Sequence, residues 1–145
     1  MTSFGAAALE IELLVEDGVD PGVPEALLTV AARATLARLG VADAHLAIEV
    51  VGERRIHELN REHRGKDKPT DVLSFPIDGE SIAAGRSPAG TGPIELGDVV
   101  ICPEHTEDMV EAVVHGVLHL CGYDHEVDTG EMLELQDSIV AGLAR

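Results

Sequence analysis

Residues 115–126 read HGVLHLCGYDHE, three histidines in a stretch of twelve. His115 and His119 stand four apart, with apolar Val117, Leu118 and Leu120 between and after them. On a helix that spacing puts both imidazoles on one face, one turn apart. Two rings so placed suit one tetrahedral metal ion. Gly122 predicts the end of the helix in a left-handed turn, after which His125 can return to the same ion as a third ligand. Three nitrogen donors leave a fourth position open, the mark of a catalytic site rather than a closed structural one. The expected ion is zinc, one per chain, though three-histidine sites also accept nickel, cobalt or copper.

The spacing H-x-x-x-H-x-x-G-x-x-H is similar to the zinc motif of metzincin proteases, H-E-x-x-H-x-x-G-x-x-H. Those enzymes carry their general base directly after the first histidine, where this chain has Gly116. Peptide hydrolysis by their route therefore lacks its proton acceptor. A helical glycine costs roughly 1 kcal/mol relative to alanine, so Gly116 is read as a point where a strand, loop or substrate approaches the helix closely. Asp124 and Glu126 flank the third histidine, and either can accept the second ring N–H of a ligand histidine or act as an acid or base, while Glu126 reads equally well as a solvated surface residue. Tyr123 is read as packing under the turn or donating a hydrogen bond.

Outward from the motif, strands and helices interleave. Residues 8–15, 45–51, 70–76 and 95–101 read as strands, the third halted by Pro76. Residues 24–39 read as a helix opened by Pro24 and closed by Gly40, and residues 53–63 as a short polar helix with Ile56 and Leu59 facing inward. The metal helix is expected from Pro103 or Thr106 to Cys121. A last helix is expected from Asp128 to Leu143, opened by a capping box of Asp128 and Glu131. Residues 79–93, rich in Gly, Ala, Ser and Pro, read as a mobile surface loop. The fold class is α+β: a small mixed four-stranded sheet with helices, one of them a zincin-like metal-binding helix.

The chain of 145 residues fits one domain spanning 1–145. Aromatic residues are only 2%, so its core must be aliphatic. A formal charge of −17 argues against general affinity for nucleic acid. Yet six of the ten basic residues (Arg54, Arg55, Arg61, Arg64, Lys66 and Lys68) crowd into residues 54–68, which on charge alone reads equally as a local basic patch or as a solvated helix face with i,i+4 pairs. Cys102 and Cys121 form no CxxC and read as buried small hydrophobes in a reducing compartment. The N-terminus lacks a basic leader and no run of 18 apolar residues occurs, so a cytoplasmic location with no membrane partner is expected.

Three segments together, HGVLHLCGYDHE, NREHRGKDKPTDVLSFP (60–76) and LGDVVIC (96–102), closely resemble the YbeY family of bacterial rRNA-maturation endoribonucleases, in the right order over roughly residues 45–143. The resemblance implies a zincin-like fold, a single zinc on His115, His119 and His125, and cleavage of single-stranded RNA. It further implies trimming of the 3′ end of 16S rRNA and small-subunit quality control, with the small ribosomal subunit as partner and no DNA. The arginine that matters for activity in the family falls on Arg64. One segment departs from the pattern: between ICPE and VVHG this chain has only HTEDMVEA (105–112), shorter than is usual. The metal helix is therefore expected to start late, with one wall of the cleft reduced.

The residues fit that chemistry. Phosphodiester cleavage needs an activated oxygen nucleophile and positive charge on the developing phosphorane. The nucleophile is either water, which zinc readies near neutral pH without a neighbouring glutamate, or the RNA's own 2′-OH, and the product end groups separate the two. Arg64 is expected to clamp the non-bridging oxygens, with Lys66 and Lys68 steering the strand. Asp71 and Ser74 on the third strand face opposite sides if it is regular, so at most one is expected to meet substrate. With so few rings, binding should be mainly through the RNA backbone. Two other readings stand beside this one: a zinc hydrolase of peptides or small molecules, and a non-catalytic ribosome-assembly factor with structural zinc.

Overall fold

The computed structural model describes residues 8–85 and 93–143. Four strands, β1 (Leu9–Val15), β2 (Ala44–Val50), β3 (Val72–Pro76) and β4 (Ile94–Ile101), form one sheet in the order β1-β2-β4-β3. β1, β2 and β4 run parallel, and β3 lies antiparallel on the β4 edge. Helices α1 (Glu25–Arg38), α2 (Glu53–Arg64), α3 (Met109–Leu120) and α4 (Glu131–Ala141) complete the α+β architecture read from the sequence.

Burial follows position in the sheet. β1, at an edge, alternates: Leu9, Ile11, Leu13 and Val15 turn inward while Glu10 and Glu12 face water. β2 and β4 lie inside the sheet, covered on both faces over much of their length, and carry near-continuous runs of Leu, Ile and Val. One face packs against α1 and α3, with α4 laid on those two helices, in a core made of Leu, Ile, Val, Ala and Met. The other meets α2, whose Ile56 and Leu59 join Val51, Leu73, Val100 and Cys102 in a smaller cluster. The short polar helix thus sits beside β3 and carries Arg64 at its end.

α3 is the central element. Nine of its twelve residues are buried, and each large aliphatic among them contributes about 1.5–3 kcal/mol by leaving water. It starts at Met109, later than Pro103 or Thr106. Pro103 opens only a 3-10 turn to His105; Thr106 then takes extended backbone angles, its hydroxyl donating to the Cys102 carbonyl at 2.7 Å. Asp108 caps the true start by accepting from the Glu111 amide at 3.1 Å, an N-terminal signal three residues long that was there to be read. The late start agrees with the shortened segment 105–112.

α4 also begins later than Asp128. The Asp128 carboxylate accepts from the amides of Gly130 and Met132, both at 2.9 Å, ahead of a helix that opens at Glu131. Glu131 reaches back to the Thr129 amide rather than to Asp128, so the reciprocal box is not formed. Residues 79–85 are not the free loop expected. Ala83 donates to the Cys121 carbonyl at 2.9 Å, Ile82 packs on the main core and Gly79 is buried; residues 86–92 lie outside the described residues. Cys102 and Cys121 are buried free thiols, and burial pushes the Cys121 thiol up to about 12. Among the described residues no helix is long and apolar enough to cross a membrane.

Candidate metal centre and cleft

His115 and His119 project from one face of α3, and the chain returns His125 to them through a turn at Cys121–Asp124. The ring centroids are 4.7, 5.1 and 5.3 Å apart. One donor atom from each ring lies within 4.8 Å of the other two. The Nε2 atoms of His115 and His119 face each other at 3.2 Å. Two nitrogens at about 2.0–2.1 Å from a tetrahedral zinc ion stand about 3.3 Å apart, so this pair already has the spacing such an ion imposes. The three histidines fit a metal.

Their protonation fits as well. Burial first, and then the neighbouring His115 and His125, hold the His119 imidazole below its usual range, in the neutral form that binds metal. His115 is oriented from behind: its Nδ1 lies 2.7 Å from Oε1 of Gln136 on α4. An amide oxygen only accepts, so Nδ1 carries the proton and Nε2 is left with its lone pair toward the other rings. Neither Asp124 nor Glu126 plays that part, and of the readings open for Glu126 its exposure matches the solvated one. The Asp124 carboxylate accepts from the Glu126 amide at 2.9 Å and ties its own turn, and Glu126 is exposed. Tyr123 packs against the core.

Gln136 was legible in principle. Met132, Gln136 and Ile139 are the buried stripe of α4, and a polar residue in such a stripe needs a partner. Gln136→Leu should keep the fold and weaken metal retention about 10- to 100-fold, the usual cost of losing such an orienting group. Competition with a chelator measures it; unchanged affinity would remove Gln136 from the centre.

Gly116 is explained by the strand behind it. A Cβ there would lie 2.4 Å from Cγ1 of Val99 on β4 and 3.3 Å from Ser74 Oγ. The Ser74 hydroxyl in turn donates to the Gly116 carbonyl at 3.1 Å, pinning β3 to the metal helix. Gly116→Ala should destabilise by about 1–3 kcal/mol of overpacking, less the roughly 1 kcal/mol that alanine returns to a helix. Urea denaturation with metal analysis checks it. A variant as stable and as loaded as the wild type would end this account of Gly116.

A cleft of about 770 Å³ opens beside the triad, with β3 as its floor and the end of α2 as its far wall. Arg64, the last residue of α2, lines it, is exposed, and has no carboxylate partner among the described residues. Its loop is held by Asn60, whose side-chain amide donates to the Lys68 carbonyl at 2.8 Å. Lys66 and Lys68 sit on that loop, exposed and outside the cleft lining. Asp71 and Ser74 both line the cleft, which runs along the whole of residues 70–76 without regard to strand alternation; Asp71 itself precedes β3. Asp71 accepts from the Val72 amide at 2.8 Å. His63 and Phe75 were not singled out from the sequence, yet both line the same cleft.

A family model described as Endoribonuclease YbeY matches residues 23–144. The protein named Endoribonuclease YbeY from Azorhizobium caulinodans is 42% identical, over 93% of this chain and 92% of its own length. Those of the same name from Salinispora tropica and Micrococcus luteus are 39% and 38% identical, each over 92% of this chain and over 95% and 91% of their own. The solution structure of TM1509 from Thermotoga maritima superposes with a TM-score of 0.52 at 29% identity, covering 91% of this chain and 86% of that one. A model match over most of the chain and relatives at this identity along nearly their whole length decide the matter: the chain belongs to the YbeY family.

Proposed function

We propose that this chain is a single-strand-specific metallo-endoribonuclease that holds one zinc on His115, His119 and His125. The carrying observation is the placement of an unpaired arginine on the wall of the cleft that the three histidines border. The zinc, when bound, supplies Lewis acidity at an open coordination position. His115, His119 and His125 bring no negative charge to it, so its charge is free to offset that of a phosphodiester. The Arg64 guanidinium holds the non-bridging oxygens in a planar fork. Lys66 and Lys68, outside the cleft, grip flanking phosphates, and the Ser74 hydroxyl shapes the cleft floor through Gly116.

The family relationship supports a finer reading: maturation of the 3′ end of 16S rRNA and quality control of the small ribosomal subunit, by a cytoplasmic protein forming one domain over residues 1–145. At −17 overall, the chain holds free RNA only through its local basic patch, so free strands bind and are cut at low salt but weakly, and delivery by the ribosomal particle raises the efficiency. The test incubates small-subunit particles carrying precursor rRNA with wild type and Arg64→Ala. Wild type should cut, and the exposed substitution should fold normally and cut about 10²- to 10³-fold more slowly, as for loss of one donor to a developing anion. Equal rates would remove Arg64 from the reaction; no cutting by wild type would remove the substrate.

A further inference from the structure

The described residues include all seven histidines of this acidic chain, and six of them have an evident employment. Three form the triad. His45 lies between Glu12 and Glu95, His57 on Asp67, and His105 on Glu53. His63 alone of the histidines outside the triad has, among the described residues, neither a carboxylate nor another hydrogen-bond partner at its ring nitrogens. It is exposed on the last turn of α2, beside Arg64, and it lines the cleft.

What the His63 ring does touch is Phe75, with centroids 5.0 Å apart and planes at 69°. Phe75 is one of only three aromatic residues, and it stands half-buried at the cleft over the smaller cluster instead of in the main core. In an edge-to-face pair neither ring covers both faces of the other. The cleft therefore holds an aromatic surface with a free ring edge, next to an arginine that has no carboxylate partner among the described residues.

We infer that His63 and Phe75 form a subsite for one unpaired nucleobase of the bound strand. Resting on the RNA reading above, this assigns the base to the ring pair and the adjoining phosphate to Arg64. Aromatic rings grip single strands by stacking, with little regard to sequence because every base has a π-face. Histidine serves in such stacks, and its free nitrogens can meet the edge of the base. A base stacked inside a duplex cannot enter, so the subsite is a physical source of single-strand preference. One ring pair is compatible with a grip that elsewhere is through phosphates.

The test measures anisotropy of zinc-loaded protein with a 2′-O-methyl single strand, checked by electrophoresis to stay intact, and with a series lacking one base at a time. Wild type should lose about 5- to 100-fold in affinity when the base at one position is removed, the range for one stacked base, and much less elsewhere. His63→Ala should bind the full strand more weakly by a similar factor and lose the position dependence, while His63→Phe should keep it. A flat profile in wild type, or an unchanged profile in His63→Ala, overturns the subsite. A drop in melting temperature with binding intact would do the same, by making the ring contact a tie between α2 and β3 only. Absence of any strand binding by wild type would instead overturn the RNA reading itself.

Discussion

His119→Ala is expected to give a folded chain that retains no stoichiometric ion and cleaves RNA at least about a thousandfold more slowly, because Lewis-acid stabilisation is worth several kcal/mol at 1.4 kcal/mol per decade. His119 is one corner of a nearly equilateral triangle of rings, with its Nε2 3.2 Å from that of His115 and its ring centroid 5.3 Å from that of His125. Without it the donors fall to two, too few to hold zinc firmly at a site that keeps an open position. The fold should survive, because the ring borders the cleft and the aliphatic core is formed by other residues. Metal analysis, circular dichroism and a cleavage assay read the three consequences separately. A variant that loses its helical signal would instead favour structural zinc and the assembly-factor reading.

Gly122→Ala is expected to cost more stability than Gly116→Ala on the same metal-binding segment. Gly122 adopts φ +93, where a side chain is strained by about 1–2 kcal/mol. A Cβ there would also lie 2.1 Å from the Glu80 carbonyl oxygen, and relieving such an overlap takes a further 1–3 kcal/mol or so. The sum is about 2–5 kcal/mol, and relaxation must move either residues 79–85 or the turn that delivers His125. Metal affinity should fall with stability. Gly18→Ala is the control, since Gly18 has φ +81 with nothing within 4 Å of its Cβ position. If urea denaturation shows the two variants equally destabilised, the packing of residues 79–85 on the metal turn has no energetic weight.

That packing marks where sequence reading stopped. The triad was legible because its signal is local: His115 and His119 lie on one helix, and Gly122 announces the turn to His125. Strand and helix types were legible for the same reason, since periodicity reports which face meets the core. The starts of α3 and α4 were displaced because several acids could cap, and the winners, Asp108 and the Asp128–Gly130 turn, depend on which backbone amides are left free. Gln136 orienting His115, Val99 filling the space behind Gly116, and residues 79–85 bracing Gly122 are contacts between distant segments. No window of sequence contains both partners. Residues 79–93 looked like a loop by composition, but composition cannot register that Gly79 has no Cβ because the Leu120 carbonyl is there: a Cβ would lie 2.5 Å from it.

The cleft divides in the same way. Arg64 stood out through its neighbours Gly65 and Lys66 and the family resemblance, whereas His63 was an ordinary polar residue of a polar helix until β3 brought Phe75 beside it. Counting aromatics argued against stacking in general. Location, which no count contains, puts one of the three rings at the site.

The central claim is metal-dependent internal cleavage of single-stranded RNA by this chain, and circular RNA tests it most directly because it has no ends for an exonuclease. Wild-type protein should linearise an unstructured circle, stop doing so after chelation, and resume when one equivalent of zinc is returned. Circles that stay closed with zinc bound, or that open equally well after the metal has been stripped, would contradict the account.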